Sequence, residues 1–264
     1  MIQSGLEVTW SAASRIDLLD AASIELLKKS GCRAIGVGIE SGSQQMLDRM
    51  NKNLSLEKSA KNLRHLRQLD IKIMPYVIVG YPGETLETLQ ETEAFLIDNN
   101  IYSAMTYAFP FPGTVLWNIA MERNMISSPM AYLSRERFSV SSMHYNFTDL
   151  TDAQLLDAVE GMKKRVLRNY IHSMIAKDLD RLHTEWQTFN LHIFGAGYLG
   201  KGLHDLLRED PRLKPRVKSF LDEDPRRIGG TYGGVPVVAL NQSVISDQDV
   251  YFIANNYYLI TFIL

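Results

Sequence analysis

Two spacings of apolar residues alternate along the first 125 positions of the chain. Short apolar runs predict strands at 6–10, 33–39, 71–79 and 103–109. Apolar residues at helical spacing predict helices between them, at 17–29, 44–50, 55–69 and 85–99. Strands that alternate with helices in this way favour a parallel sheet with right-handed crossovers. The pattern therefore predicts an α/β fold.

Glycine-rich turns follow three of the four predicted strands, at 40–43, 80–84 and 110–114, and Arg15 follows the first strand. Turns between strands and helices use Gly and Pro for conformational reasons alone, so one such turn would mean little. Ligands bind at the carboxyl ends of parallel strands, however, where these turns would meet. Three turns at one edge, with the carboxylate of Glu40 among them, predict a binding rim.

The second half of the chain starts with a stretch at 126–150 that lacks sustained periodicity and is interpreted as a connecting segment. Thr151 and Gln154 form a capping-box pattern that opens a long helical stretch, in one helix or two, as far as Gln187. This stretch is interpreted as core packing or a strut between domains. The predicted organisation is thus a first domain at 1–125, a connector with the long helix at 126–188 and a second domain at 189–264.

The second domain opens with a strand, a turn containing three glycines and a helix. The glycines are Gly195, Gly197 and Gly200, and Asp222 ends the next predicted strand 22 residues after the last of them. Such glycines permit a tight turn and a close approach of phosphate, and the acidic residue can bind a ribose hydroxyl. The pattern predicts a Rossmann-like α/β domain and a possible nucleotide site. A complete domain of this type would continue further, so this one is predicted to be truncated.

Composition excludes several classes of protein. The chain has 264 residues, 45% of them hydrophobic, and a formal net charge of -2, so no basic field suggests nucleic acid or a lipid surface. No apolar run could span a bilayer and the N-terminus does not look like a signal peptide, which gives a cytoplasmic location as the default expectation. The single cysteine, Cys32, excludes a disulfide framework within the chain. Small molecules are the expected partners.

Four segments in the first domain resemble one known family. "TWSAASRIDLLD", "GIESGSQQMLDRMNK", "VIVGYPGET" and "FPFPGT", in this order, are similar to the second part of the radical S-adenosylmethionine (SAM) core, in the subgroup whose members often carry a cobalamin-binding domain in front. The resemblance covers residues 6–125. It implies a partial (β/α) barrel of the radical SAM type, a TIM-like barrel of which about four units are present here.

The resemblance also implies which residues meet SAM. It implies polar contacts from Glu40 and Ser41, a contact of Lys52 with the SAM carboxylate, and a wall against the adenine from Ile78 and Gly80, with Phe111, Pro112 and Gly113 at its edge. SAM carries a carboxylate, an ammonium, two hydroxyls and an apolar purine, and this rim offers groups suited to all of them. The alternative for Glu40 is an ion pair with Arg15 or Lys52.

The family's [4Fe-4S] cluster requires three cysteines in a Cys-x3-Cys-x2-Cys loop, which this sequence lacks. Cys32, placed by the pattern at a helix end, is interpreted as a small buried residue. The missing two units would lie before Met1, so a fragment is expected, and this chain alone should generate no radical. None of the six histidines shows the spacing of a metal site. Tyr81 and Tyr107 lie near the rim and are possible substrate contacts, and no catalytic residue is identified.

Three hypotheses about function remain. The first is a radical SAM enzyme fragment that binds SAM, with a [4Fe-4S] cluster and possibly cobalamin in a full-length form, acting on an unknown small-molecule substrate. The second is a nucleotide- or sugar-nucleotide-binding protein that uses the Rossmann-like domain, with the half barrel as a scaffold. The third, an NAD(P) oxidoreductase, depends on the glycine turn and Asp222 alone. The substrate and the oligomeric state do not follow from the sequence.

Overall fold

The computed structural model describes residues 2, 7–103, 105–133, 139–185, 188–210, 217–240, 249–255 and 258–263. The chain forms two compact units, Met1–Val166 and Leu167–Leu264. Both are α/β units built around sheets with parallel strands. Within the described part of the chain, no helix combines the length and the apolar character that crossing a membrane would require.

The first unit contains a four-stranded parallel sheet in the order β1-β2-β3-β4. Its strands are Trp10–Arg15, Cys32–Glu40, Lys72–Val79 and Thr106–Tyr107. Its helices α1 to α6 are Ala21–Lys29, Gln44–Arg49, Leu56–Gln68, Leu86–Asp98, Val115–Glu122 and Pro129–Leu133. A further helix, α7 (Asp152–Thr184), begins in this unit. Strands therefore alternate with helices, as the apolar spacing predicts.

Side-chain caps fix where several of these helices begin. Asp20 accepts a hydrogen bond from the N–H of Ser23 at the start of α1, and Thr85 and Thr88 form a reciprocal capping box at the start of α4. Gln154 forms the predicted box with Thr151 before α7. The helix predicted at 17–29 therefore starts later than expected, after a 3₁₀ turn at Ile16–Leu18.

The first strand differs from its prediction. Of the predicted range 6–10, Leu6 lies outside the described residues, 7–9 are irregular, and β1 begins at Trp10. Ser11, Ala12 and Ala13 are exposed, because β1 is an edge strand with no neighbour on one side within the described sheet. Small exposed residues show no apolar alternation. The pattern therefore placed the strand too early and missed its residues after Trp10.

Cys32 was also misplaced by the sequence pattern. It is the first residue of β2 and is completely buried, whereas the pattern put it at a helix end. Gly31 ends the preceding turn with φ 91°, and a Cβ there would lie 1.9 Å from the carbonyl oxygen of Val8. The chain therefore turns directly into β2 one residue earlier than predicted.

The segment after β4 is more ordered than its composition suggests. The strand predicted at 103–109 is reduced to Thr106–Tyr107, and the N–H of Tyr107 donates to the carbonyl of Val140 at 2.8 Å. Aromatic residues from the connecting segment pack against the loop after β4 in one cluster. The buried members of this cluster are Ala108, Phe109, Ala120, Ile126, Tyr132, Tyr145 and Phe147.

The main core of the first unit lies between the sheet and its helices. The first half of α7 supplies Leu155, Val159, Met162 and Val166, all 1% exposed or less. Removal of large apolar side chains from water is the main favourable term in folding. Of the two predicted roles of this stretch, core packing is therefore confirmed for the first half of α7.

The second unit contains the rest of α7, a helix α8 and a six-stranded sheet in the order β10-β9-β5-β6-β8-β7. Strands β5, β6, β8 and β9 are parallel to one another, and β7 and β10 add antiparallel edges. Helix α8 is Tyr198–Glu209. The strands β5 to β10 are Asn190–Phe194, Val217–Asp222, Thr231–Tyr232, Val235–Ala239, Asp249–Asn255 and Tyr258–Ile263.

Candidate functional site

The carboxyl end of β2 holds Glu40 in an unusual backbone conformation. Glu40 has φ 65°, and the pairing register with β3 shifts between Gly38 and Glu40. A Cβ on Gly38 would lie 2.8 Å from Oε1 of Glu40, so the missing side chain of Gly38 leaves room for this carboxylate. Left-handed backbone at a non-glycine residue costs about 1–3 kcal/mol and is often found at functional sites. The fold thus holds the Glu40 carboxylate at the sheet edge.

Lys52 is the partner of that carboxylate. Its Nζ lies 3.0 Å from Oε1 of Glu40, and the two side chains are 36% and 18% exposed. Arg15 instead pairs with Asp17 at 2.9 Å and donates to the backbone carbonyl of Lys52 at 3.1 Å. Of the two alternatives raised for Glu40, the structure therefore shows the ion pair with Lys52, and Arg15 holds the loop that carries it.

Ser41 is engaged inside the fold. Its hydroxyl is 3.0 Å from Oγ1 of Thr92 and accepts a hydrogen bond from the N–H of Ser43 at 3.1 Å. Its side chain is completely buried. A Cβ on Gly42 would lie 2.6 Å from Cα of Thr92, so this turn packs tightly on α4. The serine that the resemblance assigns to SAM therefore fastens the turn to the helix.

A buried carboxylate closes the turn after β3. Glu84 is 2% exposed, and its Oε2 accepts a hydrogen bond from the N–H of Gly80, which has φ 79°. Burial raises the pKa of Glu84 to about 7, although the N–H groups of Gly80 and Tyr81 partly offset it. Within the described part of the chain, Oε1 of Glu84 has no hydrogen-bond partner. This carboxylate therefore fixes the turn that carries Tyr81.

The loop after β4 is held from two sides. Thr114 caps α5, because its Oγ1 accepts from the N–H of Trp117 at 3.2 Å and donates to the carbonyl of Phe111 at 2.7 Å. The buried hydroxyl of Tyr132 donates to the carbonyl of Pro110 at 2.7 Å. These bonds fix the backbone on both sides of Phe111, whose side chain is 53% exposed.

A cavity of about 470 Å³ opens where these loops meet, at the carboxyl ends of β3 and β4. Three predicted SAM residues line it, namely Lys52, Ile78 and Phe111. Tyr81 and Tyr107, predicted near the rim, line it as well. The remaining lining residues are Met50, Thr106, Ala108, Phe109, Thr114, Val115, Leu116 and Val140.

The other predicted SAM residues do not line this cavity. Glu40 is bonded to Lys52, and Gly80 precedes Tyr81 in the chain. Pro112 and Gly113 are exposed beside Phe111, and a Cβ on Gly113 would meet nothing within 4 Å. The cavity and the Glu40–Lys52 pair together form the candidate site, with one ion pair beside a mostly apolar wall.

Sequence reasoning missed much of this wall. Val115 and Leu116 belong to α5, for which Thr114 as an N-cap and the apolar residues after it were an available signal. Val140 lies in the connecting segment, where no periodicity marks a cavity residue. It reaches the site because its carbonyl bonds to Tyr107, a long-range contact that no local pattern encodes.

The glycine turn of the second unit is a separate candidate site. Gly195 has φ 101°, and a Cβ on Gly200 would lie 1.9 Å from the carbonyl oxygen of Gly195. Asp222 accepts hydrogen bonds from the N–H groups of Ala196 and Asp224, both at 2.8 Å. Two of the glycines and Asp222 are thus brought together. A Cβ on Gly197 would meet only an Arg227 nitrogen, at 3.9 Å.

The Asp222 carboxylate is charged and internally bonded. Burial disfavours its charged form, but the N–H groups of Asp224 and Ala196 and the guanidinium of Arg227 hold its pKa below the ordinary value. Arg227 Nη1 lies 3.0 Å from Oδ2. Both oxygens already have partners, so a ribose hydroxyl would compete with bonds inside the fold.

No cluster ligand set is present among the described residues. No group of three His, Cys, Asp or Glu side chains there could hold a metal ion. Cys32 is buried in β2, where its Sγ donates weakly to the carbonyl of Ala34 at 3.4 Å, and burial raises the pKa of its thiol. A thiol of this kind does not fit the thiolate that an iron–sulfur cluster needs.

Known proteins are similar to this chain over lengths that range from part of it to most of it. An uncharacterized methyltransferase of Pyrococcus horikoshii, PH0819, is 30% identical over 125 residues, covering 47% of this chain and 27% of the relative. An anaerobic magnesium-protoporphyrin IX monomethyl ester cyclase of Cereibacter sphaeroides is 34% identical over 254 residues, covering 87% of this chain and 38% of the relative. The chain thus spans well under half the length of these relatives.

A solved structure and a family model also match. The radical SAM methyltransferase TsrM from Kitasatospora setae, solved with cobalamin and a [4Fe-4S] cluster bound, matches with a TM-score of 0.39 and 20% identity, covering 43% of this chain and 23% of that one. The model of the radical SAM superfamily matches residues 3–96, which include Glu40, Lys52 and Gly80. The chain is therefore similar to the radical SAM superfamily over residues 3–96.

Proposed function

We propose that the first unit is part of a radical SAM barrel and binds SAM at the carboxyl edge of its sheet. The observation that carries the proposal is that Lys52, the partner of Glu40, lines one cavity together with Tyr81 and Phe111 from the predicted turns after β3 and β4. Ligands of α/β proteins bind at this edge. The finer description, a partial (β/α) barrel with about four units, belongs to the same proposal.

Each part of SAM has a counterpart at this site. The ammonium of Lys52 suits the SAM carboxylate, and the carboxylate of Glu40 suits the SAM ammonium. Binding would replace one ion pair by two such contacts. Ile78 and Phe111 supply apolar surface for the purine. Ser41 enters the proposal as the residue that holds the turn, because its hydroxyl is already bonded to Thr92.

The [4Fe-4S] cluster of the family does not fit the residues of this chain. The sequence has a single cysteine, and its thiol is buried and protonated. We therefore assign no step through a cluster to this chain and expect no radical chemistry from it alone. In a longer protein, a cluster, together with the cobalamin that the resemblance suggests, would complete an enzyme acting on a small molecule.

The second unit supplies the alternative function. Its glycine turn and parallel strands support a Rossmann-like domain, with a nucleotide site at Gly195, Gly197, Gly200 and Asp222. The internal bonds of Asp222 favour a structural role for that carboxylate. The relatives named above are a methyltransferase and a cyclase, so nucleotide or sugar-nucleotide binding is the less favoured function.

Calorimetric titration with S-adenosylhomocysteine tests the SAM proposal. The purified chain should bind it, and Lys52→Ala should weaken binding about tenfold, as expected for a lost charge-assisted hydrogen bond of ~1.4 kcal/mol. Lys61→Ala is the matched control, because Lys61 is exposed on α3 and does not line the cavity. Absence of binding, or equal losses in both variants, would contradict the proposal.

A further inference from the structure

The outer wall of the cavity lies outside the segment that matches the radical SAM model. The match ends at residue 96, whereas Phe109, Phe111, Val115, Leu116 and Val140 come later in the chain. Lys52 and Ile78, which also line the cavity, lie inside the match. These later residues form a part of the cavity that the family model does not describe, and they are called the outer wall.

This outer wall carries no charge. Of the described residues that line the cavity, Lys52 alone is charged, and its ammonium is paired with Glu40. The hydroxyls of Thr106 and Thr114 are bonded to backbone carbonyls of Val77 and Phe111. A charged group placed against this wall would lose water without gaining an ionic partner, although the hydroxyl of Tyr107, unpartnered among the described residues, could form a hydrogen bond inside the cavity.

Two large apolar side chains remain exposed at the wall. Phe111 is 53% exposed and Val115 is 65% exposed. A ligand that covers them gains about 25 cal/mol for each Å² of apolar surface removed from water. The surface is thus suited to an apolar ligand.

The wall is also aromatic and rigid. The ring centroids of Phe109 and Phe111 are 5.0 Å apart at 54°, and Phe109 contacts the rings of Tyr132, Tyr145 and His144 at centroid distances of about 6 Å. The hydroxyl of Tyr132 fixes the backbone at Pro110. Aromatic pairs contribute about 0.5–1.5 kcal/mol beyond buried area, so a ring gains more here than an aliphatic group. Rigidity lowers the entropy lost on binding.

We propose that this wall binds a flat, uncharged ring of the substrate, in addition to the SAM purine proposed to contact Ile78. The inference rests on the proposed function, because it assigns the second half of the same cavity. Val115 selects the ring, and Phe111 would lie between the ring and the edge of the purine. The substrate class is therefore a molecule that presents an aromatic or similarly flat apolar skeleton.

Methyl NMR of the full chain tests the ring site with indole as the probe. Indole should shift the methyl resonances of Val115, Leu116 and Val140 in protein saturated with S-adenosylhomocysteine. Cyclohexanol, an aliphatic ring, should bind more weakly, and myo-inositol, a polar ring, should shift none of the three. Val115→Asp should weaken indole binding roughly tenfold, because it places a charge on the apolar wall.

Val8→Asp is the matched control, since Val8 is 41% exposed and does not line the cavity. Val8→Asp should leave the affinities for indole and for S-adenosylhomocysteine unchanged. Asp at the first position of α5 is favourable for the helix, and retained methyl dispersion checks that Val115→Asp folds. The ring site is overturned if indole shifts none of the three methyls, if cyclohexanol binds as tightly, or if S-adenosylhomocysteine displaces indole. A different outcome is that the methyl resonances of Ile78 fail to shift on addition of S-adenosylhomocysteine, while indole shifts those of Val115, Leu116 and Val140. In that case the SAM proposal fails and the ring site stands.

Discussion

Lys52 Nζ and Glu40 Oε1 lie 3.0 Å apart at the carboxyl edge of the first sheet. The pair is partly exposed, and such pairs contribute only about 0.2–1 kcal/mol to stability. The strained backbone of Glu40 costs at least as much. Stability alone therefore does not explain this arrangement, whereas a site for a ligand with one charge of each sign does.

The conformation of Glu40 predicts that glycine is more stable than alanine at this position, the reverse of the order within a helix. At φ 65°, Glu40→Gly should be about 1 kcal/mol more stable than Glu40→Ala, because only glycine adopts this conformation without strain. At Glu57, in the first turn of α3, the order should reverse, with Gly less stable than Ala by about 0.5–1 kcal/mol. Urea unfolding of the four variants measures both differences. The same order at both positions would show that Glu40 is unstrained.

Glu84 predicts a pH-dependent stability. Its pKa is about 7 in the folded state and 4.5 ordinarily, so the folded state binds the proton more tightly than the unfolded state does. The stabilisation from the protonated form is fully present below pH 4.5 and is lost as the pH rises to 7 and above; by linkage it amounts to about 3 kcal/mol.

Replacement of Glu84 by Gln removes this titration. Relative to Glu84→Gln, the unchanged protein should lose stability between pH 5 and pH 8, as measured by urea unfolding at each pH. Glu91→Gln, an exposed position on α4, is the control and should follow the unchanged protein. Parallel pH profiles for the protein and for Glu84→Gln would mean that Glu84 ionises normally.

Tyr132 predicts a measurable contribution to the loop after β4. Tyr132→Phe leaves the Pro110 carbonyl without its donor and should cost about 1–2 kcal/mol. Tyr76→Phe should cost less than about 0.5 kcal/mol, because the Tyr76 side chain is 51% exposed. Thermal unfolding compares the two. A cost for Tyr76→Phe as large as that for Tyr132→Phe would contradict the assignment.

The glycines of the second unit predict two different responses to alanine. Gly200→Ala should destabilise by about 1–3 kcal/mol or more, because its Cβ would collide with the carbonyl of Gly195. Gly197→Ala should be nearly neutral for stability, since nothing is closer than 3.9 Å. If the turn binds a nucleotide, Gly197→Ala should weaken NAD binding in a thermal-shift titration. Equal losses of stability would refute this distinction.

Long, strongly patterned elements were predictable from the sequence. The continuous apolar run of β3 and the helical spacing of α3 and α4 are confirmed within one residue at each end. Their signals are local, since apolar periodicity and capping residues such as Ser55 and Thr85 lie within the element itself. The predicted position of edge strand β1 was wrong, because its small, exposed residues carry no such signal.

The candidate site was only partly predictable. Glycine turns located the edge of the sheet, and resemblance pointed to Lys52, Ile78 and Phe111, which do line the cavity. Val140 and the bond from Ser41 to Thr92 depend on contacts between residues distant in sequence. A one-dimensional pattern does not specify such contacts, and the ligand roles of all these residues stay predictions.

The buried thiol of Cys32 can be used to measure local opening of the first unit. Because the sequence holds no other thiol, any reaction with a thiol-specific reagent must come from this side chain. A completely buried thiol reacts only when β2 separates from its neighbours. The labelling rate of the unmodified protein therefore measures how often this sheet opens, and a ligand that binds at its carboxyl edge should slow it.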